Sequence, residues 1–397
     1  MTAAPTAKPR RLVVVFLRGA VDGLSVVVPY ADPDYYRARS SIGLGRPGSA
    51  GGVLDLDGHF GLHPALAPLA PMWKSGTLGF VQACGSPDPT RSHFDAQDYM
   101  ESATPGRKAT QDGWMNRLLG ALPGNDLERS TPTRAISVGP VLPRIYAGRN
   151  SVANISLGAA GSKPTLLDRP KVGAAFNRLY GGDDKLSLAY RDSLEARREV
   201  RQAMDSGAGD ELSREMLAAN NGAPLPNGFP YDAARLATLM RGDSRVQLAF
   251  MALGGWDTHA NQGAATGQLA NRLGALGMGL TALASGLGPA FDETVIVVMS
   301  EFGRTVRQNG NGGTDHGHGN VMWLLGAQVA GGKVHGQWPG LDDSALYEGR
   351  DLSVTTDFRE VLAEISGRHM LVPDARLVDV FPKFAALAAR TQRVLRT

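Results

Sequence analysis

The sequence predicts an α/β fold with a central, mostly parallel sheet flanked by helices. Short apolar runs bounded by glycine recur along the chain, mostly unalternating, as in strands covered on both faces. Helical patterns separate them, and strand–helix–strand alternation builds parallel sheets. Fifty glycines and 24 prolines in 397 residues add the many tight connections such a fold needs.

The first strand is LVVVFL (12–17). Two arginines stand before it, as in a twin-arginine export signal, but a run of six is too short for one, so it is read as a strand. Further strands are LSVVVPY (24–30), LGFVQAC (78–84), AISV (135–138), VQLAFMAL (246–253), VIVVM (295–299) and VMWLLG (321–326). Helices are predicted at AARLATLM, at GQLANRLGALGMGLTALASGL (267–287) and at DFREVLAEISGRH (357–369). A charged amphipathic stretch, LSLAYRDSLEARREVRQAMDS, marks about 165–230 as a helical insertion or cap within one domain spanning 10–397.

Composition excludes several classes. The only cysteine, Cys84, rules out an internal disulfide and a thiolate zinc site. A net charge of +3 without a basic block gives no nucleic-acid footprint. No apolar run reaches the ~18–20 residues of a membrane span. Oligomeric state is left open.

In parallel sheets, functional residues gather in loops at the carboxyl ends of strands. Asp22 follows the first strand. Asp257 and His259 lie in GGWDTHANQ, after the 246–253 run. Glu301 and Arg304 follow VIVVM, and GGTDHGHGN brings Asp315, His316 and His318. Carboxylates and imidazoles after several strands suit a divalent ion of the hydrolytic type: zinc first, with manganese, magnesium, calcium or iron as alternatives. In TRSHFDAQDYMES, Ser92 and Asp95 fit a capping box. Ser92 or Thr90 would also serve as a nucleophile at a helix N-terminus, with a metal-activated water as the alternative. His93 is open between ligand, general acid and surface residue. Arg18 and Arg304 suit either phosphate or sulfate oxygens or salt bridges to the site carboxylates.

The motifs LVVVFLRGAVDGLSVVVPY, RSHFDAQDYME, GGWDTHANQ and SEFGRT…GGTDHGHGN resemble, in order and over nearly the whole chain, the bacterial domain-of-unknown-function family 1501. That resemblance implies the alkaline phosphatase superfamily, with a two-metal site at the strand ends. It also implies a periplasmic or secreted location; this chain shows no export signal, so a cytoplasmic location is the alternative. It makes Asp22 the first-strand metal ligand and assigns Asp257 and His259 to the other ion. The superfamily's usual spacing between those two is wider, so one of the pair would contact a different metal. Glu301 stands in Ser300-Glu301-Phe302-Gly303 where Ser/Ala-Asp-His-Gly is usual, so Phe302 occupies an expected histidine position. The GTDH string is similar to that of phosphopentomutases and makes His316 the last ligand, with His318 or Asp315 to replace what Phe302 lacks.

The function expected is metal-dependent hydrolysis of a phosphate or sulfate ester of a small molecule or glycan. The alternatives are an exported binding or assembly protein with a structural or vestigial metal site, and a phosphomutase-like phosphotransferase.

Overall fold

The computed structural model describes residues 9–108, 111–124, 132–155, 218–384 and 393–396. Most of the helical insertion expected at about 165–230 lies outside the described residues, which resume at residue 218.

Three layers form around one sheet. Its strands are β1 (Arg11–Leu17), β2 (Leu78–Gly85), β3 (Ala135–Val138), β4 (Ala153–Ile155), β5 (Leu248–Leu253), β6 (Thr294–Ser300), β7 (Asn320–Leu325), β8 (Val334–His335) and β9 (Thr356–Asp357). Their order is β8-β2-β7-β6-β1-β5-β3-β4, with β9 also on β2. Pairings are parallel except those of β7, which is antiparallel to both neighbours.

Helices α1 (His93–Ser102), α2 (Trp114–Ala121), α3 (Phe229–Gly242), α4 (Gln268–Leu287), α5 (Phe358–Glu364) and α6 (Asp374–Val380) complete the described framework. The two-residue period of β1 divides its side chains between two cores. Leu12, Val14 and Phe16 pack with Trp114, Leu118, Phe358 and Leu377. Val13, Val15 and Leu17 pack with Phe229, Leu236, Leu276 and Leu280 on the other face. Each fully buried aliphatic side chain contributes about 1.5–3 kcal/mol. Helix α4 is long and apolar enough to cross a membrane by length and composition, but its Leu273, Leu276, Leu280 and Leu283 are wholly buried in the second core.

One predicted strand is replaced. LSVVVPY begins as a helical turn (Gly23–Val26), and only Val27–Val28 is extended, in a separate three-stranded sheet with Leu54–Asp55 and Gly61–Leu62. The turn starts at Asp22, whose carbonyl accepts from the amides of Ser25 and Val26. Val26 and Val27 still join the core on one face of the main sheet, while Leu24 and Val28 enter a smaller cluster.

Register positions the site. Leu17 lies opposite Leu253 on one side and Ser300 on the other, so the loops after β1, β5 and β6 leave the sheet at one level. Because β7 runs antiparallel, the long β6–β7 loop begins and ends at that same edge.

Candidate metal centre

Three of those loops and the start of α1 meet at Asp257. His93 is the first residue of α1, with Ser92 as N-cap; the Ser92 hydroxyl oxygen accepts from the Asp95 amide at 3.5 Å, as the capping box predicts. The β6–β7 loop folds back on its neighbours through glycine. A Cβ on Gly313 would come within 2.4 Å of the His259 carbonyl carbon, and one on Gly317 within 2.4 Å of that of Arg304. Backbone contact this close is what the glycines around Asp315, His316 and His318 permit.

Each of three histidines is held by its Nδ1. His93 Nδ1 lies 2.9 Å from Glu301 Oε1, His316 Nδ1 3.0 Å from the Arg91 carbonyl, and His259 Nδ1 3.1 Å from Asp315 Oδ1. An ionised carboxylate or a carbonyl only accepts, so each Nδ1 carries a proton, and each Nε2 is the ring atom left to take a second proton or a cation. Those Nε2 atoms converge. His316 Nε2 is 2.9 Å from His93 Nε2, 3.0 Å from His259 Nε2 and 3.3 Å from Asp257 Oδ1. His259 Nε2 is 2.9 Å from Asp257 Oδ1.

Asp257 Oδ2 is buried without a hydrogen-bond partner, 3.5 Å from His93 Nε2. With the imidazoles counted as neutral, Asp257, Glu301 and Asp315 against the guanidinium of Arg304 leave two negative charges for protons or a cation to offset. Imidazole nitrogens, a carboxylate and an unsatisfied buried oxygen suit a divalent transition metal, zinc above all. Ligand atoms of His93, Asp257 and His316 all lie within 4.8 Å of one another, and His259 Nε2 adjoins them.

The charge states follow from the same contacts. Burial alone would raise the Asp257 carboxyl, but the imidazoles of His259, His316 and His93 beside it and the charge of Arg304 hold it far below the usual range. Burial opposes charging of His93, yet Asp257 and Glu301 push it up to about 9. His316 is lowered by burial and by the charges of His93 and Arg304. The cluster thus draws positive charge inward, from protons or from a cation.

The other predicted residues take different places. Glu301 is wholly buried and spends its carboxylate on Gly19 N (2.7 Å), Gln97 Nε2 (3.0 Å), Ser300 Oγ (3.0 Å) and His93. Arg304 Nη1 donates to Asp257 Oδ1 at 2.6 Å, and Arg18 pairs with Glu101 at 2.6 Å, so both arginines make internal salt bridges. Phe302 packs its ring on His93 and His316, with centroids 4.9 and 5.2 Å apart. His318 stacks on Tyr347 (4.6 Å), outside the converging group. Thr90 Oγ1 accepts from the Ser92 amide.

Asp22, expected as a ligand, is fully buried and held in a bidentate pair with Arg39, at 2.6 and 2.9 Å. Ser25 and Gln262 add donors at 2.7 Å each. The physical reason is charge: a buried carboxylate needs a counter-ion, and here a guanidinium supplies it. Sequence reading missed Arg39, Gln97, Gln262 and the Arg91 carbonyl, none of which sits in a recognisable spacing. Beside the site, a cavity of about 240 Å³ lies at the carboxyl ends of β1, β3 and β5, lined by Arg18, Ser137, Leu142, Asn221 and Phe250 among others.

A family model described as "Protein of unknown function (DUF1501)" matches residues 9–381. The chain belongs to DUF1501. No curated protein matches it. Among solved structures, this DUF1501 protein is similar to Ps i-CgsB in complex with k-i-k-neocarrahexaose, at 11% identity and TM-score 0.42, covering 96% of this chain and 77% of that one. It is also similar to a protein in the alkaline phosphatase superfamily from Vibrio parahaemolyticus, at 9% identity and TM-score 0.39, covering 83% and 63%. A third is PsFucS1 sulfatase from Pseudoalteromonas sp., at 12% identity and TM-score 0.38, covering 98% and 74%. Likeness this loose assigns no residue a role.

Proposed function

We propose that this DUF1501 chain is a metal-dependent hydrolase of phosphate or sulfate esters. One observation carries the reading: His93, His259 and His316 turn their Nε2 atoms toward the Asp257 carboxylate, while Glu301, Asp315 and the Arg91 carbonyl fix the opposite ring nitrogens. His93, Asp257, His259 and His316 would hold the ion. A divalent ion so bound supplies Lewis-acid polarisation of an ester oxygen.

The chain's own residues do the remaining work. Glu301, steadied by Gly19 and Gln97, keeps the Nδ1 proton on His93. Arg304 orients Asp257, and the Phe302 ring shields the imidazole faces from water. Ser92, an exposed hydroxyl next to His93 at the start of a ten-residue helix, is the first choice of nucleophile. Thr90 or water is the alternative.

The test is hydrolysis of aryl phosphates and aryl sulfates by the purified chain before chelation, after chelation and after zinc return. Loss and recovery support the reading; activity that survives exhaustive chelation counts against it. With Ser92→Ala, a turnover loss near 10³-fold or more marks that hydroxyl as nucleophile, whereas retained turnover moves the role to Thr90 or water.

One observation favours a second reading, a binding or assembly protein with a structural metal. Arg18 and Arg304 both make internal salt bridges rather than standing free for an anionic substrate. Tightly bound metal without turnover across the ester panel would support it.

A further inference from the structure

Resting on the metal-centre reading above, we infer that Arg39 is a permanent internal cation at Asp22 and that the centre therefore carries one ion. Hydrolytic centres of the paired type hold two ions about 3.5–4 Å apart, and the second needs its own carboxylates. Asp22 is the strand-end carboxylate nearest to that role in the sequence, and its bonding is already complete. Oδ1 accepts from Arg39 Nη2; Oδ2 accepts from Arg39 Nη1, Ser25 Oγ and Gln262 Nε2.

Arg39 is equally complete. Nε donates to the Val306 carbonyl, Nη1 to Asp22 and Ser25, and Nη2 to Asp22 and the Thr305 carbonyl, which uses all five N–H groups. Both side chains are wholly buried. A dication brought to Asp22 would meet a buried like charge and compete with the four hydrogen bonds its carboxylate already accepts. Among the described residues, the histidine and carboxylate groups that could share an ion form one cluster, and it does not include Asp22.

The guanidinium also links the parts a bridging ion would join. It ties the turn after β1 to residues 305–306 of the β6–β7 loop. From Asp22, contacts run through Gln262 to Thr314 and from Thr314 to Arg304, which holds Asp257.

The test counts ions. The full chain is stripped by chelator, reloaded with excess zinc, desalted and measured for metal per chain; a cobalt(II)-loaded sample gives the electron paramagnetic resonance spectrum. One ion per chain and an uncoupled cobalt signal are expected. Two ions with spin coupling would overturn the inference while leaving the metal centre standing; no retained ion would overturn both. The double variant Asp22→Asn/Arg39→Met removes both buried charges together, which a fold tolerates better than losing one. Its count stays at one if Asp22 is not a ligand, and a drop below one contradicts the assignment. The wild-type count decides the question even if that variant fails to fold.

Discussion

His93 shows how much a single residue's setting can hide. In the sequence it follows a capping serine and reads equally as surface, acid or ligand. In the fold it is buried between Glu301 and Asp257, and its imidazole stands beside the Phe302 ring that fills the expected histidine position. The convergence of Asp257, His259 and His316 was legible because carboxylates and imidazoles in post-strand loops share one edge of the sheet. The partnership of Asp22 with Arg39 was not legible, since nothing in PDYYRARSS marks one arginine for burial. Glu301→Gln keeps the shape but leaves His93 without its anionic partner. It should weaken zinc affinity roughly 10–100-fold, read by competition with a chelating dye, with the fold intact. An unchanged affinity would remove Glu301 from the centre.

His63 makes a separate prediction. Its buried ring accepts from the Ala65 amide, lies 3.0 Å from the Ala264 carbonyl, and is lowered by burial from 6.5 to about 4. The folded state therefore binds fewer protons than the unfolded state between those values. This contribution is fully present above pH 6.5 and is lost as pH falls toward 4, on the order of 3 kcal/mol in all. Urea melts across that window should show a shallower pH slope for His63→Gln than for the wild type. Equal slopes would mean that His63 charges normally in the fold.

At the scale of elements, the runs with strong β character settled where the sequence placed them. LGFVQAC, AISV and VIVVM all became strands of the main sheet. LSVVVPY did not, because Asp22 starts a helical turn and the following valines pair in a small separate sheet. Apolar content announces burial, but the partner that buries a run is a tertiary matter. The antiparallel entry of β7 was equally invisible, yet it returns the histidine-bearing loop to the functional edge. That loop depends on Gly317, whose missing side chain admits the Arg304 backbone. Gly317→Ala should displace Arg304 and weaken zinc binding at least about tenfold, since misplaced supporting groups cost affinity, with the helical circular dichroism unchanged. Wild-type affinity in this variant would show that the close approach is dispensable.

For the whole molecule, the two cores on opposite faces of the sheet form a scaffold distinct from the site it carries. Leu280 is fully buried between α4 and the sheet. Leu280→Ala should cost about 2–5 kcal/mol in denaturant melts while zinc stoichiometry stays the same; a lost ion would show that core and centre are coupled. The layered architecture was readable because strand–helix alternation is encoded locally. The meeting of α1 with three distant loops was not, because no local pattern states which loops share an edge until the register is known. The account rests on three imidazoles and one aspartate enclosing a cation. Anomalous diffraction at the zinc edge from crystals grown with zinc tests this most directly. The prediction is one peak bounded by Nε2 of His93, His259 and His316 and by Asp257. A zinc-saturated crystal with no peak there, or with its peak at Asp22, would contradict the account.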